Sequence, residues 1–164
     1  MDGTLVEYRR DCNLSLLKTK GYFASLKPEW NMIEAMLKLN KDKNSRVFIL
    51  TKVYPNVFPY SVKEKKEYIS KYIPDMVDKT IMVNGDVGET KSGIIKQIIG
   101  KFDQDCVLVD DFTKNLTEWE REGGVSIKYL NGINNTNGTV HRYSVSCYMS
   151  AKSIYEYLKN INTV

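Results

Sequence analysis

The chain has 164 residues and a formal net charge of +4, with 42% hydrophobic and 27% charged residues, so it supports one packed domain and not a disordered chain. No apolar run approaches the roughly 20 residues of a membrane span, and the opening MDGTLVEYRR lacks the apolar stretch of a secretory signal. Three scattered cysteines and a single histidine, His141, leave no disulfide framework and no histidine cluster for zinc, which fits a reducing cytoplasm.

After Leu5, residues 6–27 read as a polar connecting segment. Pro28 and Glu29 suit the first turn of a helix, where a missing N–H costs nothing and a carboxylate meets the positive end of the dipole. Ile33, Met36 and Leu37 follow at helical spacing. Val47 to Leu50 is a short continuous apolar run, as expected of a strand buried on both faces. Residues 51–60, with Pro55 and Pro59, read as a loop.

Ser61 and Glu64 have the spacing of a capping box, heading a helix with Tyr68, Ile69, Tyr72 and Ile73 on its buried stripe and Pro74 at its end. Lys63, Lys65 and Lys66 of this helix read as a solvated face, not a nucleic-acid surface. A strand is predicted over Thr80–Val83, then a loop over 84–88. A helix from about Thr90 carries Ile94, Ile95, Ile98 and Ile99, with Gly100 as its C-cap.

A third buried strand, Cys106–Val109, ends in Asp110-Asp111. A helix over Thr113–Glu122 turns Leu116 and Trp119 inward and closes at Gly123-Gly124. A fourth strand covers Val125–Leu130, a turn-rich stretch covers 131–138, and Val140–Met149 alternates weakly, as a hairpin arm would. Ser150 caps a last helix with Ile154, Tyr155 and Leu158 on one face. Helices alternating with short buried strands predict a parallel α/β sheet covered on both sides.

In such sheets, ligands bind beyond the carboxyl ends of the strands. Thr51 follows Leu50, Asp110 and Asp111 follow Val109, and Asp2-Gly3-Thr4 stands at the front of the chain. Two adjacent carboxylates repel unless a cation lies near them, and magnesium prefers such oxygens. Lys91, in the first turn of its helix, opposes the helix dipole unless it faces an anion such as phosphate. The Thr51 hydroxyl is suited to a phosphate oxygen, and Gly3 allows the backbone close to a ligand. Each residue also has a plainer role, as helix cap, strand end or surface lysine; their common position raises the functional one.

Asp2-Gly3-Thr4-Leu5, Thr51 after Val-Phe-Ile-Leu, Lys91, and Asp110-Asp111 after Val-Leu-Val resemble the four motifs of the haloacid dehalogenase superfamily of phosphatases. More narrowly, the chain resembles the 5'(3')-deoxyribonucleotidase family. That likeness rests on Gly21-Tyr22-Phe23, on Glu64 to Tyr68, and on the run from Asp110 through Lys114-Asn115-Leu116, Trp119-Glu120, Gly123-Gly124 and Ile127-Lys128 to Leu130 and Asn134. It covers nearly the whole chain. It implies one Rossmann-like, three-layer domain over residues 1–164, with a parallel sheet and a minimal cap at about 6–27.

The resemblance implies a magnesium-dependent phosphatase acting on nucleoside monophosphates, with no nucleic-acid polymer and no membrane as partner. An aspartate attacks phosphorus, and water then hydrolyses the aspartyl-phosphate. Asp2 is implied as acid and base, with its backbone carbonyl facing the metal; Thr51 and Lys91 would hold the phosphoryl oxygens. Asp110 and Asp2 are implied as metal ligands, with Asp111 a further ligand or a support that orients Lys91. Gly3, Thr4, Lys52, Tyr22 and Phe23 fall at substrate-binding positions, although Tyr22 and Phe23 equally suit core packing.

One departure bears on activity. The family motif is Asp-x-Asp-Gly-Thr, and Met1 occupies the x position, so the nucleophile would lie immediately before Met1. The apolar strand leading to it, central in the superfamily's sheet, is likewise outside 1–164. We expect a start upstream of Met1, and little phosphatase activity from residues 1–164 alone. We also expect a sheet that shows a gap or fills it with Val140–Met149 or with a second chain, as in a homodimer. The alternative is a non-catalytic protein that binds phosphate or nucleotide. A phosphoacceptor signalling domain shares this chemistry but places its acidic pair early in the chain, whereas Asp110-Asp111 comes last.

Overall fold

A computed structural model describes residues 1–7, 13–133 and 141–161. Part of the expected cap segment (8–12, including Cys12), most of the turn-rich stretch, Asn134 and Val140 lie outside the described residues.

Among the described residues, five α-helices and five strands alternate along the chain, except that the fifth strand follows the fourth directly. They are α1 (Trp30–Asn40), β1 (Ile49–Val53), α2 (Ser61–Tyr72), β2 (Thr80–Asn84), α3 (Lys91–Ile99), β3 (Val107–Asp110), α4 (Thr113–Arg121), β4 (Val125–Leu130), β5 (Ser144–Ser146) and α5 (Ala151–Lys159). Every strand pair is parallel, which requires crossover connections, and helices supply them between β1 and β2 and between β3 and β4. Successive strand residues face opposite sides, so Ile49 joins one apolar cluster and Leu50 the other. The larger cluster is built on Ile33 and Met36 of α1, Tyr68 and Ile69 of α2, Ile127 and Tyr129 of β4, and Ile154 of α5. The smaller one holds Ile95 of α3 with Leu116 and Trp119 of α4. Helices therefore cover both faces of the strands, an α/β arrangement with parallel sheets that is compatible with a Rossmann-like fold. α1 packs against α5, with Lys159 paired to Asp42 at 3.2 Å.

The strands form two groups, β1-β2 and β3-β4-β5, and among the described residues no hydrogen-bonded ladder joins β1 to β3. The expected break in the sheet is present, and residues 144–146 do not fill it. They extend the far edge, with Tyr129 opposite Val145 in parallel register, so the hairpin arm expected over 140–149 is corrected to a parallel edge strand. Residues 1–6 fold into a turn beside the break. The Met1 carbonyl accepts the N–H groups of Thr4, Leu5 and Val6 at 3.1, 2.8 and 3.3 Å. Leu5 then accepts the Glu29 N–H at 3.0 Å, fastening this turn to the start of α1.

Other boundaries differ from the sequence reading: β1 starts at Ile49 and not at Val47, and β3 is shifted one residue, to Val107–Asp110. Pro28 lies outside α1, in an antiparallel bridge to Val6, and Glu29 is the N-cap. β1 continues through Thr51 to Val53, because its pairing with β2 compensates for the polar Thr51 and Lys52. The capping box does not form: Tyr60 is the N-cap of α2, and the Ser61 hydroxyl donates to the Phe58 carbonyl at 2.7 Å. No helix among the described residues is long and apolar enough to cross a membrane.

Candidate functional site

Asp2, Thr51, Lys91, Asp110 and Asp111 come from four separate segments of the chain and fall into three sets of contacts: Asp2 and Thr51 at Lys65, Lys91 on Asp110, and Asp111 with Thr4 and Asn131. Lys91 is the first residue of α3, after Thr90, whose hydroxyl accepts the Gly93 N–H at 3.0 Å and fixes the start of that helix. The Lys91 ammonium forms an ion pair with Asp110, and both side chains are buried. Asp110 ends β3 and accepts the Phe112 N–H at 2.8 Å and the Asn115 amide at 3.0 Å. Burial pushes the Asp110 carboxyl upward, but the charges of Lys91 and the Met1 amino group, with the hydrogen bonds from Lys91 and the Phe112 N–H, outweigh it and hold it below its ordinary value.

Asp111 points to different partners. The Thr4 hydroxyl donates to its Oδ1 at 3.4 Å and the Asn131 amide to its Oδ2 at 3.2 Å. The same amide donates to the Gly3 carbonyl at 3.0 Å. Gly3 has φ of +73°, and a Cβ there would lie 2.2 Å from Asp111 Oδ2. Gly3 thus lets the backbone lie against the Asp111 carboxylate. Gly3 and Thr4 grip Asp111, and Lys91 is oriented by Asp110 and not by Asp111.

Beneath this pair lies Lys128 of β4, 1% exposed, which donates to the Asp111 carbonyl and, at 3.2 Å, to the Thr113 hydroxyl. Burial lowers its pKa against the pull of Asp111 and Asp110. Lys91 thus pairs with the Asp110 carboxylate, while Lys128 holds the backbone carbonyl of Asp111.

The remaining site residues meet at Lys65. Its ammonium donates to Asp2 Oδ2 at 2.6 Å, to the Thr51 hydroxyl at 3.1 Å and to the Lys52 carbonyl at 3.0 Å. The Phe23 ring lies 4.9 Å from it, a cation–π contact. Lys65 is 2% exposed, which corrects the solvated-face reading for this lysine; Lys63 and Lys66 are exposed as expected. Its neighbour Glu64 accepts the N–H groups of Gly21 at 2.5 Å and Phe23 at 3.0 Å, which ties the short 3-10 turn Phe23–Ser25 to α2. Tyr22 and Phe23 are buried in the larger apolar cluster, as core packing would have them. Lys52 contributes its carbonyl here, while its ammonium lies over the Tyr54 ring.

Among the described residues, no three Asp, Glu, His or Cys side chains are grouped to hold a metal. Magnesium is commonly held through one or two carboxylates, with water and substrate phosphate completing its shell. Asp2 Oδ1, buried and without a hydrogen-bond partner, fits such a ligand.

Lys65, Glu64, Asn115, Lys128 and Asn131 were not among the candidates drawn from the sequence. For Glu64 and Lys65 a signal existed: they extend the buried stripe of Tyr68 and Ile69 one turn back. No family model and no curated protein sequence matches this chain.

Proposed function

We propose that residues 1–164 carry the phosphoryl-holding and acid–base part of a phosphomonoesterase of the haloacid dehalogenase type, acting on nucleoside monophosphates. The supporting observation is a pair of polar clusters: Lys65 brings Asp2 and Thr51 of β1 together, and Lys91 pairs with Asp110 at the end of β3. Thr51 and Lys91 would hold the phosphoryl oxygens and stabilise the charge that develops on them. An aspartate one residue ahead of Met1 would attack phosphorus, and the P–O bond to the leaving alcohol would break. Asp2 would give its proton to that alkoxide, then take one from the water that opens the aspartyl-phosphate. Magnesium, when bound through Asp2 and Asp110, would offset phosphate charge.

Among the described residues β1 and β3 are each paired on one side only, so a parallel strand added to them would bring this aspartate into place. Phosphate release from nucleoside monophosphates, with magnesium, is the test. The 1–164 chain should release little. The same chain joined to an apolar strand ending in Asp before Met1 should turn over, and loss of that turnover on changing the added Asp to Asn would confirm the nucleophile. Normal turnover by 1–164, or none from the extended chain, sinks the proposal. A second reading, a non-catalytic phosphate-binding protein, is favoured by one observation: the chain's own residues neutralise each other, Lys91 on Asp110 and Lys65 on Asp2. Binding without turnover by the extended chain would support it.

A further inference from the structure

We propose that Lys65 is a positioning residue for anion binding, acting through the Thr51 hydroxyl; this rests on the phosphoryl-site reading above. A lysine ammonium has three N–H donors and no acceptor. Those of Lys65 are matched by three oxygens from three groups: Asp2 Oδ2, Thr51 Oγ1 and the Lys52 carbonyl. Lys65 thus has no donor left for a ligand, and its effect passes through the groups it holds.

Two consequences follow from that geometry. A hydroxyl that accepts from an ammonium must direct its own hydrogen elsewhere, so Thr51 is set as a donor toward an anion's oxygen. By engaging Oδ2 of Asp2, Lys65 also leaves Oδ1 as a buried acceptor with no partner. One ammonium therefore prepares a hydrogen-bond donor and a lone carboxylate oxygen, the pair a protonated or cation-bound phosphate needs. The rest of the surroundings hold Lys65 in place. The Phe23 ring covers it, and Glu64, one residue before it on α2, anchors the backbone of Gly21 and Phe23.

A simple charge effect and a positioning effect separate in a double-mutant cycle. Inorganic phosphate is titrated into the full 164-residue chain by calorimetry. Lys65→Met should weaken binding about tenfold or more, the scale of a hydrogen bond to a charged group. The loss should be as large in a Thr51→Ser background, which keeps the hydroxyl, and less than about threefold in Thr51→Val. An undiminished loss in Thr51→Val means that Lys65 acts through its charge alone and overturns the proposal. Equal affinity of Lys65→Met and the parent also overturns it, while leaving the phosphoryl site standing.

A second measurement does not depend on phosphate or on the fold of Lys65→Met. A buried ammonium with three partners exchanges its protons slowly, so ¹⁵N-edited spectra of the parent should show a Lys65 ammonium signal near neutral pH. Thr51→Val should weaken that signal by removing one partner. Absence of the signal in the parent overturns the Lys65 geometry directly. A clear signal in a parent that binds no phosphate removes the phosphoryl-site reading, and this proposal with it.

Discussion

The two strand groups hold their polar residues in different ways. In the β3-β4-β5 group, the carboxylates Asp110 and Asp111 are the centres: Lys91, Asn115 and the Phe112 N–H converge on the first, and Thr4 and Asn131 on the second. In the β1-β2 group a cation is the centre, and Lys65 gathers Asp2, Thr51 and the Lys52 carbonyl. A carboxylate accepts from several donors at once, so the first group is closed by its own residues. A lysine only donates, so the groups around Lys65 keep unused capacity: the Thr51 hydrogen and Asp2 Oδ1. The side better suited to receive a ligand is therefore the lysine-centred one.

The largest expected effect lies in the closed group. Lys91→Met leaves the Asp110 carboxylate buried beside an apolar side chain and should cost about 3–5 kcal/mol of stability. Lys65→Met should cost clearly less, because the Asp2 side chain is 36% exposed and water can replace part of the lost interaction. Urea melts of both variants test the comparison, and a larger loss from Lys65→Met would reverse it. Gly3→Ala probes the turn between the groups. It forces a Cβ against Asp111 at a positive φ and should cost about 2–3 kcal/mol, whereas Gly21→Ala, also at positive φ but with open space, should cost about 1 kcal/mol.

The smallest effect is on acid stability. The Asp110 carboxyl lies below its ordinary value of 3.8 in the folded chain. Its stabilising contribution is complete above the unfolded value and is lost as pH falls through the folded one. Melting temperatures of the parent should fall more steeply below about pH 4 than those of Asp110→Asn. Equal slopes would assign the acid sensitivity to other carboxylates.

Much of the fold was legible because apolar periodicity decides it. The isoleucines of α3, Leu116 and Trp119 of α4, and the runs in β3 and β4 mark their elements without tertiary information. β1 was read short because Thr51-Lys52 looks like a loop when the neighbouring β2 is not visible. β5 was misread because Ser-Val-Ser at a sheet edge gains its conformation from β4 and not from its own residues. In the site, strand ends pointed to Thr51, Asp110 and Asp111, but their partners were hidden. Asn115 and Asn131 act at separations set by the crossovers. Lys65 was hidden by expectation: a charged residue in a lysine-rich helix is normally solvated, and only its place on the stripe with Ser61, Glu64 and Tyr68 argued otherwise.

The packing of α1 against α5 has a consequence for how the protein is made. α1 is near the front of the chain, yet part of the cover for its apolar face, including Ile154, comes from the last helix. During synthesis, Ile33 and Met36 stay partly uncovered until α5 has left the ribosome. Contacts between such distant segments slow folding, because a long loop must close before they form. Shortening the chain before Ala151 should therefore do more than remove one helix. It leaves the first helix without its final partner, a state that chaperones and proteases would recognise.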